Sequence, residues 1–285
     1  MPFFQATDGT RLFYEDWGQG DPMVFVSSWA LDSRMWAPHM LHFSAAGRRC
    51  IALDRRGHGR SDRPGGGYDY DRLADDLAEL IAHLDLDRIT LVAHSMGTGE
   101  SIRYLARHGT RRIARAIYLG AISPCYLRNA SHPDGIGPEV IEQVIAEIAG
   151  DLPAWLAEGA DGFFLPRSTG TSAETIRHTI DIILDASLKA LVECIRTKLN
   201  ADLRDELQQL DLPLLLIHGD RDVSESLANS QAIQALVEGS HMISYEGAPH
   251  GLFHTHRSRL IADIERFMLE THQGHTRAAP ASSLA

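Results

Sequence analysis

The stretch Ile89-Thr90-Leu91-Val92-Ala93-His94-Ser95-Met96-Gly97 decides how this chain is read. Residues 89–93 are a short β-branched and apolar run, the pattern of a buried strand. From position 96 to about 107 the pattern turns helical. A serine between a strand and a helix sits on a sharp turn. Such a turn crowds the residues two before and two after the serine, so both must be small. Gly97 meets that need, and Ala93 stands where the usual G-x-S-x-G has glycine, a departure of one methyl group. The following helix would aim the Met96 N–H at a developing oxyanion. The plainer alternative is that Ser95 only caps the helix, a common role for serine.

Outward from this turn, strand-length runs alternate with helical patterns. Thr7-Asp8-Gly9-Thr10 predicts a hairpin turn between two opening strands. Residues 23–26, 49–53 and 113–119 predict strands, and 70–84 a helix with Leu73, Leu77, Leu80, Ile81 and Leu84 on one face. From 124 to 207 the strand signal fades. Helices are predicted at 139–148, 173–184 and 188–199, with Gly and Pro punctuating the rest. The alternation returns with a strand at 214–217, a helix at 227–236, a strand at 241–245 and an amphipathic helix at 255–269.

Such alternation predicts an α/β fold, a mostly parallel sheet with helices on both faces. Residues 1–123 and 208–270 are expected to form that core, and 124–207 a helical cap inserted after the sixth strand. Residues 271–285, polar, small and Pro-containing, are expected to form a disordered tail. Ligands in open α/β sheets bind beyond the carboxyl ends of the strands. A cap at that edge would act as a lid.

Composition narrows the function classes. With 285 residues the chain can bury a large core without disulfides or metal staples. A formal net charge of −11 removes the cationic field that nucleic acid requires. Cys50, Cys125 and Cys194 fit no zinc or redox spacing, and are expected to be reduced and packed. No apolar run reaches the roughly 18 residues of a membrane span. Met1-Pro2-Phe3-Phe4-Gln5 lacks the basic and apolar blocks of a signal peptide, so a cytoplasmic location is expected.

Two more strand ends carry reactive side chains. His218-Gly219-Asp220-Arg221-Asp222 follows the strand at 214–217, and either aspartate there is able to orient a histidine. Ala248-Pro249-His250-Gly251 follows the strand at 241–245, where a general base would reach the sheet's carboxyl edge. Taken singly, these are a surface turn and a solvated histidine. Together with Ser95 they form the order Ser, Asp, His, each at a strand end, which is a known triad order.

On these residues the chain resembles the α/β-hydrolase family, within it the arylesterase, non-haem haloperoxidase and perhydrolase group. Asp54-Arg55-Arg56-Gly57-His58-Gly59-Arg60-Ser61 is similar to that family's structural turn after the fourth strand, and Tyr245 through Phe253 to its catalytic-histidine loop. The resemblance implies Ser95 as nucleophile, His250 as base and, in the Gly-Asp-x-Asp loop, Asp222 rather than Asp220 as the orienting acid. Where the family has His-Gly-aromatic after the third strand, this chain has Ser27-Ser28-Trp29. By position the Trp29 N–H would be the second oxyanion donor beside Met96, with Ser28 against the hole. Ala30 stands where perhydrolase-like members often have proline, which weakens a peroxy-acid reading.

Trp155, Phe163 and Phe164 in the insertion are pocket-wall candidates, against the plainer reading that they pack the cap. His250, His254 and His256 lack a further ligand for a metal site, and Gly97-Thr98-Gly99 lacks the third glycine of a dinucleotide loop. The expected function is a cofactor-free serine esterase or lactonase on a small, fairly apolar substrate, with no metal and no nucleic-acid or membrane partner. A ligand sensor on the same scaffold, or a C–C hydrolase, lyase or cofactor-free oxygenase with the same triad, is the alternative.

Overall fold

The layering follows from strand periodicity. In β3 (Pro22–Val26), Val24 and Val26 join one apolar layer while Met23 and Phe25 join the other. Successive side chains of a strand point to opposite faces, so a strand apolar at every position must be covered on both. The computed structural model describes residues 2–277. Within them, β1 (Phe3–Gln5), β2 (Arg11–Trp17), β3, β4 (Arg49–Leu53), β5 (Ile89–His94), β6 (Ile113–Leu119), β7 (Leu214–Gly219) and β8 (His241–Tyr245) form one sheet in the order β1-β2-β4-β3-β5-β6-β7-β8. The hairpin β1–β2 and the pair β2–β4 are antiparallel; the remaining pairs are parallel.

Of the helices, α1 (Ala37–Ala45) precedes β4, α2 (Tyr70–His83) precedes β5 and α3 (Met96–His108) precedes β6. Between β6 and β7 lie α4 (Pro138–Gly150), α5 (Leu152–Phe164), α6 (Pro166–Thr169), α7 (Ala173–Leu184), α8 (Leu188–Asn200) and α9 (Arg204–Gln208). The last three are α10 (Leu227–Leu236), α11 (Leu252–Thr255) and α12 (Arg257–Arg277). Leu73, Leu77 and Leu80 of α2 and Ile102 of α3 cover one face of the sheet. Met40 and Phe43 of α1 and Leu260, Ile264 and Phe267 of α12 cover the other. A separate apolar cluster forms inside the insertion from Ile141, Ile145 and Ile148 of α4 with Ile195 and Leu199 of α8.

The final helix departs from expectation. It runs to Arg277, past the Leu269 at which the apolar period stops, so the backbone of 271–277 is helical rather than irregular. Loss of periodicity ends the burial signal, not the backbone hydrogen bonding. The remainder of the expected tail, 278–285, lies outside the described residues. The three cysteines are free and buried. No helix among the described residues is long and apolar enough to cross a membrane.

Candidate active site

Ser95 follows β5 and stands at the N-cap position of α3 with φ 53° and ψ −124°, a backbone conformation that costs a non-glycine residue about 1–3 kcal/mol. Its surroundings hold it there. The Ser95 N–H donates to Leu119 O at 2.9 Å, and its carbonyl accepts from the Thr98 N–H at 2.8 Å and hydroxyl at 2.7 Å. A Cβ on Gly97 would stand 2.7 Å from Ser27 O and 2.8 Å from Val26 O, so only glycine lets α3 approach β3 this closely. The Ser95 side chain does not cap its helix. Its Oγ makes no hydrogen bond among the described residues, yet it is not among the polar atoms sealed from solvent.

The ends of β7 and β8 bring a histidine and an aspartate together. His250 Nδ1 lies 2.6 Å from Asp222 Oδ2. A carboxylate accepts only, so Nδ1 carries a proton, and in the neutral ring Nε2 holds the lone pair. The Asp222 side chain is wholly buried, and its Oδ1 accepts from the Ser224 and Glu225 N–H groups at 2.9 and 2.8 Å. Burial alone would raise its pKa. The facing His250, hydrogen bonds from His218 and His250, and the Glu225 N–H outweigh burial and hold the carboxyl well below the usual carboxylate range. Asp220 is exposed and instead accepts from the Gly247 N–H at 2.7 Å. Gly120, at the end of β6, backs the pair: a Cβ there would meet His250 Nδ1 at 3.2 Å and Asp222 Oδ2 at 3.3 Å.

Ser95 and His250 are joined through His94. The His94 Nε2–H donates to His250 O at 2.9 Å, and the two rings lie 4.6 Å apart. Burial, then the neighbouring His250, pushes the His94 pKa far down, so it stays neutral beside the triad candidates.

Trp29 follows β3 and Met96 opens α3 after β5, both at the carboxyl edge of the sheet. Neither Trp29 N–H nor Met96 N–H donates to another described residue. The Trp29 side chain is pinned by its Nε1 donating to Leu191 O at 3.0 Å and by an edge contact with Trp155 at 5.7 Å. Backbone strain in this loop sits at Ala30, with φ 64°. Ser28 is buried, its N–H directed at Met35 Sδ at 3.4 Å. The wall candidates separate. Phe163 stacks edge-on against His250 at 5.3 Å and its carbonyl accepts from the Gly251 N–H at 2.8 Å. Phe164 lies behind it, against Phe163 and His254.

One feature of the site escaped the sequence. Arg55, buried after β4, donates through Nη2 to Ser27 O at 2.7 Å and through Nη1 to Ser28 O at 3.1 Å. Its Nε donates to Glu100 of α3 at 2.5 Å. A buried ion pair thereby fixes the two carbonyls that precede the Trp29 N–H. The signal was available in the arginine of the Asp54–Ser61 turn, but its partner lies 45 positions away.

Residues 21–182 match the alpha/beta hydrolase fold family. The chain is 36% identical over 272 residues to a non-heme haloperoxidase of Rhodococcus erythropolis, covering 94% of this chain and 99% of that one. It is 30% identical to a bifunctional esterase/perhydrolase of Acinetobacter calcoaceticus over 94% of this chain and 99% of the other. Among solved structures, an esterase from Exiguobacterium antarcticum superposes with a TM-score of 0.87 at 28% identity, covering 93% of this chain and 98% of that one. Haloperoxidase, esterase and perhydrolase are names of those proteins, and what they share with this chain is fold and length. The chain belongs to the α/β-hydrolase fold family.

Proposed function

We propose that the protein is a serine hydrolase that cleaves a small, fairly apolar carboxylic ester or lactone through an acyl-enzyme. The observation that carries this reading is the Asp222–His250 bond at 2.6 Å, with a bare Nε2 on the same sheet edge as the strained, unpartnered Ser95. Ser95 Oγ attacks the carbonyl carbon while His250 Nε2 takes its proton. Asp222 holds the imidazole tautomer and stabilises its charged form. The Met96 and Trp29 N–H groups receive the oxyanion. The imidazolium then protonates the leaving alcohol, and water attacks the acyl carbon with the same base to regenerate Ser95. No cofactor enters these steps.

The substrate class rests on the walls. Trp29, Trp155 and Phe163 present apolar surface beside His250 and the oxyanion loop. We take residues 124–207 as the cap over this edge, because Phe163, Leu191 and Ser187 bond to Gly251, Trp29 and Gly57 of the core. Names of the esterase and esterase/perhydrolase relatives support ester chemistry. Three free thiols support the cytoplasmic location that belongs to the same reading. The test is turnover of p-nitrophenyl esters of rising acyl length and of simple lactones, with the Ser95→Ala protein as blank. Multiple turnover that disappears in the blank supports the hydrolase. Tight retention of ester without turnover would favour a ligand sensor instead.

A further inference from the structure

The opposite edge of the sheet holds a cationic cavity that the proposed chemistry does not use. A cavity of about 190 Å³ opens where β5 and β6 begin, lined by Arg88, Arg111, Ile113, Ala114, Arg115 and Thr271. Strands β3 to β8 run parallel, so this amino-terminal edge lies across the sheet from Ser95, Asp222 and His250. Three of the six lining residues are arginines and none is acidic.

Arg115 is the informative member. It sits inside β6 at 6% exposure, beside Thr90 in the register, and its Nη1 donates to Thr90 Oγ1 at 3.0 Å. Its Nε is sealed from solvent without any partner, while its Nη2 has no bond and is not sealed. The guanidinium therefore presents its second amino group to the open cavity. Burial, then nearby Arg48 and Arg88, push its pKa down, with Asp21 opposing weakly. Arginine cannot shed its proton at neutral pH, so a buried guanidinium without a counter-ion stays a desolvated, uncompensated charge.

Neighbouring arginines are treated differently. Arg48 pairs with Asp21 at 2.8 Å and Arg112 with Asp85 at 3.2 Å. Arg88, Arg111 and Arg115 have no carboxylate partner among the described residues, and residues 272–285 contain no Asp or Glu to supply one. In a chain of net charge −11, three guanidinium groups without a carboxylate partner among the described residues thus surround one small cavity. Together they offer more N–H donors than the two oxygens of a carboxylate can accept. A tetrahedral oxyanion carrying up to two charges satisfies them.

We propose that the cavity lined by Arg88, Arg111 and Arg115 binds a phosphate group, free or as the head of a small monoester. The volume admits such a group with a few further atoms. This site is independent of the reaction at Ser95.

Isothermal titration of the full chain tests it, with inorganic phosphate and glycerol 3-phosphate in separate arms and chloride matching ionic strength. The expected result is saturable binding of one anion per chain, weakened at least tenfold in Arg115→Met and in the Arg88→Ser/Arg111→Ser pair. The double variant changes only exposed side chains, so the test stands if Arg115→Met fails to fold. Tighter binding of glycerol 3-phosphate identifies a monoester as the natural occupant, and weaker binding identifies free phosphate. Heats no larger than those of chloride, or phosphate binding unchanged in the double variant, would overturn the proposal.

Discussion

One oxygen of Asp222 faces two imidazoles: Oδ2 lies 2.6 Å from His250 Nδ1 and 3.3 Å from His218 Nε2. His218 Nε2 also lies 2.9 Å from Glu225 O, and its Nδ1 2.7 Å from Ser230 Oγ. A carbonyl accepts only, so Nε2 carries the His218 proton and directs it toward the Glu225 carbonyl and Asp222. The carboxylate is thus fixed from three sides, by His218, by the Ser224 and Glu225 N–H groups, and by His250 itself. An acid held this rigidly is suited to choosing a tautomer.

Asp222→Asn should lower kcat by roughly 10³-fold or more, because an amide no longer selects the Nδ1–H tautomer. Asp220→Asn should change kcat little, since among the described residues its carboxylate serves only the Gly247 N–H. Steady-state kinetics of both variants on one ester decides the matter, and the reverse ranking would contradict the assignment of the acid.

Arg55 should act on kcat through the Trp29 N–H. Arg55→Met frees the Ser27 and Ser28 carbonyls and strands Glu100, so we expect a fall in kcat of roughly tenfold or more with little change in KM. Breaking the buried pair should also cost about 3–5 kcal/mol of stability. Adding Glu100→Met should restore much of the stability and none of the kcat. If kcat returns with stability, the pair serves only the fold.

The alternation of strands and helices was legible because it rests on local pattern, as were a serine, an aspartate and a histidine in that order at strand ends; the choice of Asp222 over Asp220 came from the family resemblance. Strand bounds at 49–53, 113–119 and 241–245 agree with β4, β6 and β8, and helix 173–184 with α7. Helix α5 was not legible. Pro153, Gly159 and Gly162 looked like loop punctuation, yet proline is compatible with a first turn, and Asp151 caps the helix by accepting from Ala154 N–H at 3.1 Å. Helix α1 also went unread; Pro38 lies in its first turn and polar His39, His42 and Ser44 interrupt its apolar period. The Arg55–Glu100 pair was invisible for another reason: a charge partner across the fold leaves no mark in local periodicity.

Stability should fall on mild acidification. Burial, then Arg257, pushes His39 down to about 3; burial, then Arg55, does the same to His58. His94 lies well below its ordinary value for the burial reason already given. All three are neutral when folded, whereas each takes up a proton in the unfolded chain once pH drops below the ordinary value of 6.5. The stability is therefore intact above that value and is lost as pH falls from it toward about 3. Each proton contributes about 1.4 kcal/mol per pH unit, so the three together give about 4 kcal/mol per unit. Urea unfolding at pH 7.5 and at pH about 5.5 measures this, and equal stabilities at the two would contradict it.

Ser28 should control acyl size and not rate. In the proposed mechanism the Met96 and Trp29 N–H groups already receive the oxyanion, so the hydroxyl is not needed as a donor. Ser28→Gly is expected to widen tolerance for bulky acyl groups and leave kcat on a short ester nearly unchanged. A roughly tenfold or greater loss of kcat in Ser28→Ala, with KM unmoved, would instead make the hydroxyl a third donor.

The central claim is that Ser95 is the nucleophile, and covalent capture tests it most directly. The protein is incubated with a fluorophosphonate, its intact mass is measured, and the modified peptide is mapped. We expect one adduct per chain, on Ser95, and none in a folded Ser95→Ala protein. An adduct on another serine, or equal labelling of the Ser95→Ala protein, would contradict the account.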